Sequence, residues 1–226
     1  MQMIAIDAYV DPLERPAVIS GAEQMIDALH DLLPEGAQPI QINFCAPGSD
    51  DSNPFLDVTP KIILMSLLAE LEKPPENLLV SRKSWVIRLE KLQEQSEEIF
   101  ICNIFRHVDL GINRNANHLL RERIRRLNLL ALELSQTHGV GVIDIDRAMA
   151  HSGGRMLASD YRLGSQAALD VAGHTIAWTL FNFGLDHYLE PIYQDKAKSN
   201  LGDIYQLHER IQRRQVRVNQ EEGWHG

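Results

Sequence analysis

The chain has little cysteine, few aromatics, less base than acid and no apolar run of membrane length. Each shortage narrows what it can be. Two cysteines, Cys45 and Cys102, show neither metal-ligand spacing nor a disulfide framework. The expectation is two buried, reduced thiols in a cytoplasmic protein, with no metal. With 22 Lys and Arg against 31 Asp and Glu, the formal charge is −9, which argues against a nucleic-acid partner or an anionic membrane surface. The basic residues Arg121, Arg123, Arg125 and Arg126 do cluster, but Glu122 and Glu133 lie among them, so they read as a solvated helix face. The longest apolar run, Ile62 to Ala69, is too short to span a bilayer, and Met1 to Asp7 lacks the pattern of a signal peptide. No glycine-rich phosphate motif opens a helix after a strand, so no nucleotide and no other cofactor is expected.

What is present alternates strand with helix. Met3 to Val10 reads as a buried strand, ended by Asp11-Pro12. Ser20 and Glu23 have capping-box spacing, and Ala22, Met25, Ile26, Leu29, Leu32 and Leu33 follow at helical intervals. Gln38 to Cys45 is the second strand, running into a turn-forming loop from Ala46 to Pro54. Lys61 to Leu68 is apolar on both faces and suits a central parallel strand, although so short a run reads equally as a helix continuing through Glu72. A helix over 76–95 carries Leu79, Val86, Leu89 and Leu92 on one side. Glu98 to Phe105 is the next strand, and a helix from Asn115 to His138 has the most regular stripe, including Leu120, Ile124, Leu127 and Leu134. Val140 to Ile145 then gives the fifth strand, and Gln166 to Phe183 a further helix.

This order predicts an α/β protein, a three-layer α/β/α sandwich on a flavodoxin-like parallel five-stranded sheet of order 2-1-3-4-5, with ligands at the strands' carboxyl ends. Residues 1–184 are expected to form that domain. Residues 185–226 lose the strand signal and turn polar, reading as a partly helical C-terminal arm that packs back on the sandwich or docks a protein partner or a second copy.

The loops after the strands hold many acids, among them Asp7, Asp11, Asp50, Asp109, Asp146 and Asp160, most of which turn chemistry alone explains. Asp144-Ile145-Asp146 has an Asp-x-Asp form, but on the last strand rather than the first, where phosphatase chemistry needs it.

Three stretches together resemble a known family. Leu120 to Asn128 with Ala131-Leu132-Glu133 and Val140 to Asp144 resemble the penultimate helix and last strand of the SGNH/GDSL hydrolases. Ser159-Asp160-Tyr161-Arg162-Leu163-Gly164 and Ala172-Gly173-His174 resemble that family's closing block, where an Asp-x-x-His pair precedes a helix often carrying Ala-Gly-His. The likeness covers residues 98–183 best. It implies the same sandwich and an acyl-ester hydrolase or transferase chemistry: a serine after the first strand, a histidine base, an aspartate that orients it, and oxyanion donors from a glycine and an asparagine.

Residue by residue, the chain departs from that pattern. Ile6-Asp7-Ala8-Tyr9-Val10 holds no serine after the first strand, and Leu67-Leu68-Ala69-Glu70 holds no Gly-x-Asn-Asp after the third. Gly48 matches the glycine oxyanion position and Asp160 the triad acid, but Leu163 stands where the histidine belongs, and a leucine cannot take a proton. The candidate pocket is therefore Asp7, Gly48, Ser49, Asp50, His107 and Asp160, with no assigned catalytic residue. His174 matches a helical position and is not the expected base.

Two functions follow. One is a catalytically degenerate SGNH-like protein, a homo-oligomer kept for binding, scaffolding or assembly, with a small acylated or saccharide ligand. The other is an esterase or acyltransferase of this fold using a non-standard catalytic set. A receiver-like signalling module fits the strand count but lacks that class's acidic pair and lysine at the strand ends.

Overall fold

In a computed structural model of the chain, which describes residues 3–33, 39–46, 61–74, 78–96, 98–111, 114–153, 157–204, 207 and 209, five parallel strands form one sheet. The strands are β1 (Ile4–Tyr9), β2 (Ile40–Phe44), β3 (Ile62–Ser66), β4 (Glu98–Cys102) and β5 (Gly141–Ile143), and their order is β2-β1-β3-β4-β5. This is the sheet order that the sequence predicts. Ile6 pairs with both Ile42 and Ile62, so β1 and β3 are the inner strands at the point where the order reverses.

The helices are α1 (Arg15–Leu29), α2 (Leu78–Gln93), α3 (Arg114–His138), α4 (Ile145–His151), α5 (Gln166–Phe183) and α6 (Pro191–Leu201). Strand side chains alternate between faces, and the two faces build separate cores. Ile4, Ile6 and Ala8 join Leu64, Phe100 and Ile143 beneath α1, α4, α5 and α6. Tyr9, Ile63, Met65, Ile99 and Ile101 join the buried stripes of α2 and α3 on the opposite face. Every residue of β3 is buried, as a strand covered on both faces requires.

Several boundaries differ from the sequence reading. α1 begins at Arg15 rather than Ser20, because Pro16 sits in its first turn, where a missing N–H costs nothing. Ser20 is then inside the helix, its hydroxyl accepting from Gln24 Nε2 at 3.2 Å. β5 stops at Ile143, two residues early, because Asp144 caps α4 by accepting from Arg147 N at 3.1 Å. That short helix occupies a stretch read as loop. α5 is as expected, from Gln166 to Phe183, with Ser165 capping it through Ala168 N at 3.2 Å.

The Ala172-Gly173-His174 run has a packing role. A Cβ on Gly173 would lie 2.7 Å from both Gly21 N and Ser20 Oγ, so only glycine lets α5 approach α1 this closely. His174 is buried beside this crossing, with its ring stacked on Trp178 at a centroid distance of 6.4 Å.

The polar tail begins with residues that the core absorbs. Leu185, Tyr188, Leu189, Ala197 and Leu201 are buried in the same core as α1 and α5. Asn200 Nδ2 donates to Ala28 O at 2.9 Å, fastening α6 to the end of α1. Residues 211–226, the last third of the expected arm, lie outside the described residues.

Candidate functional site: a cleft at the carboxyl edge of the sheet

Strands running in one direction deliver their outgoing loops to one edge, and there the loops enclose a cleft of about 760 Å³. Leu13 comes from the loop into α1, His107 and Asp109 from the loop after β4, and Ser159, Asp160 and Arg162 from the approach to α5.

Side chains of α3 and α4 hold the loop after β4. Asn128 donates to Ile104 O at 2.8 Å and accepts from Ile104 N at 2.9 Å. Asp146 Oδ1 accepts from Arg106 N at 2.9 Å, while its Oδ2 pairs with the Arg106 guanidinium at 2.5 Å. Asn103 donates to Asp144 at 2.6 Å and accepts from Asp146 N at 2.9 Å, which joins the end of β4 to the start of α4. Tyr161 N then donates to His107 O at 2.9 Å, tying this loop to the Asp160 turn. Asp144-x-Asp146, which has the form of a phosphatase motif, is instead engaged in capping α4 and in holding Asn103 and Arg106. Polar residues at strand ends signal such work in a sequence, but their partners are distant along the chain, and sequence reasoning missed Asn103 and Asn128.

Asp160 is buried and engaged chiefly by the residue two places on, with the Asp109 backbone N–H as a further donor. Arg162 Nε donates to both of its oxygens at 3.0 Å, Arg162 Nη2 donates to Oδ2 at 2.5 Å, and Arg162 N donates to Oδ1 at 3.0 Å. Burial alone pushes the Asp160 carboxyl up, but the bonds from Arg162 and its charge outweigh that and hold it below the usual carboxylate range. The same bonds push the guanidinium up. Leu163 is buried in the core with φ +55°, and its N–H donates to Asp160 O at 3.0 Å. Ala158, also in this loop, has φ +47°. Two non-glycine residues in the left-handed region mark a tightly held turn.

The remaining candidates scatter. His107 lies in the cleft, its ring 5.9 Å from that of Phe105. Asp7 does not line it. It sits mid-strand in β1 and forms a buried pair with Lys61 Nζ at 3.0 Å, while Asn43 Nδ2 donates to it at 2.9 Å. Gly48, Ser49 and Asp50 lie outside the described residues. The structure thus brings His107 and Asp160 together and keeps Asp7 apart from them.

A second polar group sits at the same edge, under α1. Asp11 follows β1, and its Oδ1 accepts from Leu13 N at 2.9 Å. Glu14 is buried, accepts from Asp11 N at 3.3 Å and hydrogen-bonds Ser66 at the end of β3. Burial pushes the Glu14 carboxyl up to about 7, against the bonds from Ser66 and Asp11 N. Ser66 Oγ also accepts from Leu68 N at 3.0 Å. Sequence reasoning missed this pair, since neither residue stands in a recognisable motif. No group of three His, Cys, Asp or Glu side chains suited to a metal ion occurs among the described residues. No helix among them is long and apolar enough to cross a membrane.

With this geometry in place, the molecule can be compared with known proteins. No protein-family model matches the chain, and no curated protein matches it. Among solved structures, it is similar to the lipase/acylhydrolase from Enterococcus faecalis, with 17% identity and a TM-score of 0.57 over 79% of this chain and 95% of that one. The chain therefore shares the α/β/α fold of that lipase/acylhydrolase. At this identity the likeness is one of fold.

Proposed function

We propose that this chain is a binding or scaffolding protein built on an acylhydrolase fold, which has lost the hydrolytic reaction of that fold. One observation carries the reading: the position expected for the base holds Leu163, buried and bound into its turn, while its partner acid Asp160 is clamped by Arg162. A base must stand within hydrogen-bond reach of the group it deprotonates, and an orienting acid must have an oxygen free for that base. Leucine offers neither a lone pair nor a proton. Asp160 spends its oxygens on a guanidinium that stays protonated.

The cleft of about 760 Å³ then serves as a site for a small polar ligand, with His107 and Arg162 as its donors. An acylated or saccharide ligand fits this mixture of acceptors and donors. Self-association belongs to the same proposal. Phe183 at the end of α5 and Ile192 and Tyr193 on α6 are large apolar side chains left exposed at 68%, 60% and 41%, and they favour a partner or second copy around residues 185–226. Buried, unpaired Cys45 and Cys102 suit a reducing, cytoplasmic setting.

The experiment is hydrolysis of short-chain nitrophenyl esters. Turnover at the buffer rate supports the binding reading. Turnover abolished by Asp160→Asn would overturn it.

A second reading has one observation in its favour. Ser66 and Glu14 are a hydroxyl and a carboxyl of raised pKa in contact at the carboxyl edge, the residue types of a nucleophile and base. Both are buried, and neither lines the cleft. Ester turnover lost in both Ser66→Ala and Glu14→Gln, with folding intact, would establish an active enzyme with a displaced catalytic set.

A further inference from the structure

We propose that the turn from Asp11 to Glu14 is a proton-operated latch on the wall of the Asp160 cleft, closed while Glu14 keeps its proton and opened when that proton leaves. The turn carries Leu13, which lines the cleft together with His107, Asp109, Asp160 and Arg162. The latch gives the proposed binding cleft a response to pH, and for that use it rests on the binding reading. The movement itself is measurable without a ligand.

Asp11-Pro12-Leu13-Glu14 closes on itself in the manner of a capping box. Asp11 Oδ1 accepts from Leu13 N at 2.9 Å, Glu14 Oε2 accepts from Asp11 N at 3.3 Å, and Glu14 N donates to Asp11 O at 2.9 Å. Both carboxyl groups are buried, each residue being 5% exposed. No cation compensates Glu14 among the described residues: the next residue, Arg15, turns to β2 and lies 5.3 Å from the centre of the Phe44 ring. The other groups that bear on Glu14 are the Ser66 hydroxyl at the end of β3 and the Cys102 thiol at the end of β4. Burial, and then the Glu14 charge, push that thiol well above its ordinary value, so it stays uncharged. Asp11 adds repulsion when Glu14 ionises.

A buried carboxylate without a cation is relieved when water reaches it. Pro12 and Leu13 are exposed, whereas Ala17 and Val18 hold α1 in the core, so the turn can open without the helix leaving. Burial is the largest influence on Glu14, and it pushes the carboxyl from 4.5 up to about 7. The closed turn therefore binds the proton more tightly than an open, hydrated one. Its advantage is complete below 4.5 and is lost as pH rises through about 7. Opening displaces Leu13 and changes the shape of the cleft. A ligand that fits one form better therefore takes up or releases a proton on binding.

The test is an NMR titration of the full chain from about pH 5 to about pH 8, without ligand. It reads amide exchange at Leu13, corrected for the intrinsic rate, with Ile6 in the middle of β1 as the reference for global unfolding. Opening at Leu13 should rise by at least about tenfold and at most about 70-fold, and should stay more frequent than at Ile6 throughout. The amides of Ser159 and Gly164, which line the same cleft, should shift with the same midpoint. E14Q should abolish the rise. S66A should move its midpoint to higher pH, by removing a bond that favours the ionised form. H107Q, which removes a titrating group from the cleft, should leave it unchanged. Exchange at Leu13 that ignores pH, the same rise in E14Q, its loss in H107Q, or opening no more frequent than at Ile6 would each overturn the proposal.

Discussion

Arg162 reaches back two residues and closes on Asp160, with Nε 3.0 Å from each carboxylate oxygen and Nη2 2.5 Å from Oδ2. The same guanidinium lies over the Tyr161 ring, 5.5 Å from its centre. An acid that the resemblance assigns to orienting a histidine is here part of a local clamp that shapes the turn before α5. Whether that clamp stabilises the molecule can be measured directly.

Arg162→Met leaves Asp160 buried and without its cation. Unfolding should become easier by about 1–2 kcal/mol, below the usual cost of breaking a buried pair because the Arg162 side chain is 47% exposed. The pH dependence has a definite sign. Asp160 has a lowered carboxyl pKa in the folded chain, so its contribution is present above about 3.9, the unfolded value, and is lost as pH falls through the folded value. The difference between wild type and variant in urea unfolding should therefore be full at pH 7 and shrink in acid.

Glu14 has the opposite sign. Its carboxyl is pushed up to about 7 in the folded chain, from an ordinary 4.5. The folded state therefore holds the proton longer than the unfolded one, and stability falls as pH rises from 4.5 to 7, by at most ~3 kcal/mol. Glu14→Gln should flatten this part of the pH–stability curve and raise the melting temperature at pH 8. A variant whose curve keeps the wild-type slope would remove Glu14 as the cause.

Gly173→Ala should cost about 2–3 kcal/mol, because its Cβ would meet backbone and Ser20 Oγ at 2.7 Å and force α1 and α5 apart. Gly164→Ala is the matched control. Nothing lies within 4 Å of its added Cβ and its φ is not positive, so the change should be within about 0.5 kcal/mol. Thermal unfolding of the two variants separates a packing role for the Ala172-Gly173-His174 run from a catalytic one.

Ala158→Gly should stabilise the chain by about 0.5–1 kcal/mol. Ala158 is exposed with φ +47°, so glycine relieves a left-handed conformation without losing buried surface, and that gain exceeds the added entropy of the unfolded chain. Guanidinium unfolding measures the shift in midpoint.

The sheet order was legible because each strand is a short apolar run bounded by turn formers, and because helical stripes of 3.6 residues intervene. Boundaries set by a cap were harder to read. Ser20-x-x-Glu23 imitates a helix start, but Pro16 already supplies one, and Asp144 ends β5 by capping a helix too short to show a stripe. Asp160 and Leu163 could be placed from local pattern because they sit beside each other in one turn. The Glu14–Ser66 pair and the Asn103–Asp144–Asp146 network could not, since their members lie on different elements and meet only when the sheet closes. The partner that occupies Asp160 was only two residues away, yet sequence alone does not say which way an arginine turns.

We propose that the acylhydrolase fold here carries no working serine hydrolase centre. The most direct measurement of this is labelling of the intact protein with a fluorophosphonate probe, beside hydrolysis of nitrophenyl butyrate, with peptide mapping of any labelled serine. The expected result is no labelled serine and turnover at the buffer rate, for wild type and for Asp160→Asn alike. Stoichiometric labelling of one serine, with turnover that Asp160→Asn abolishes, would contradict it.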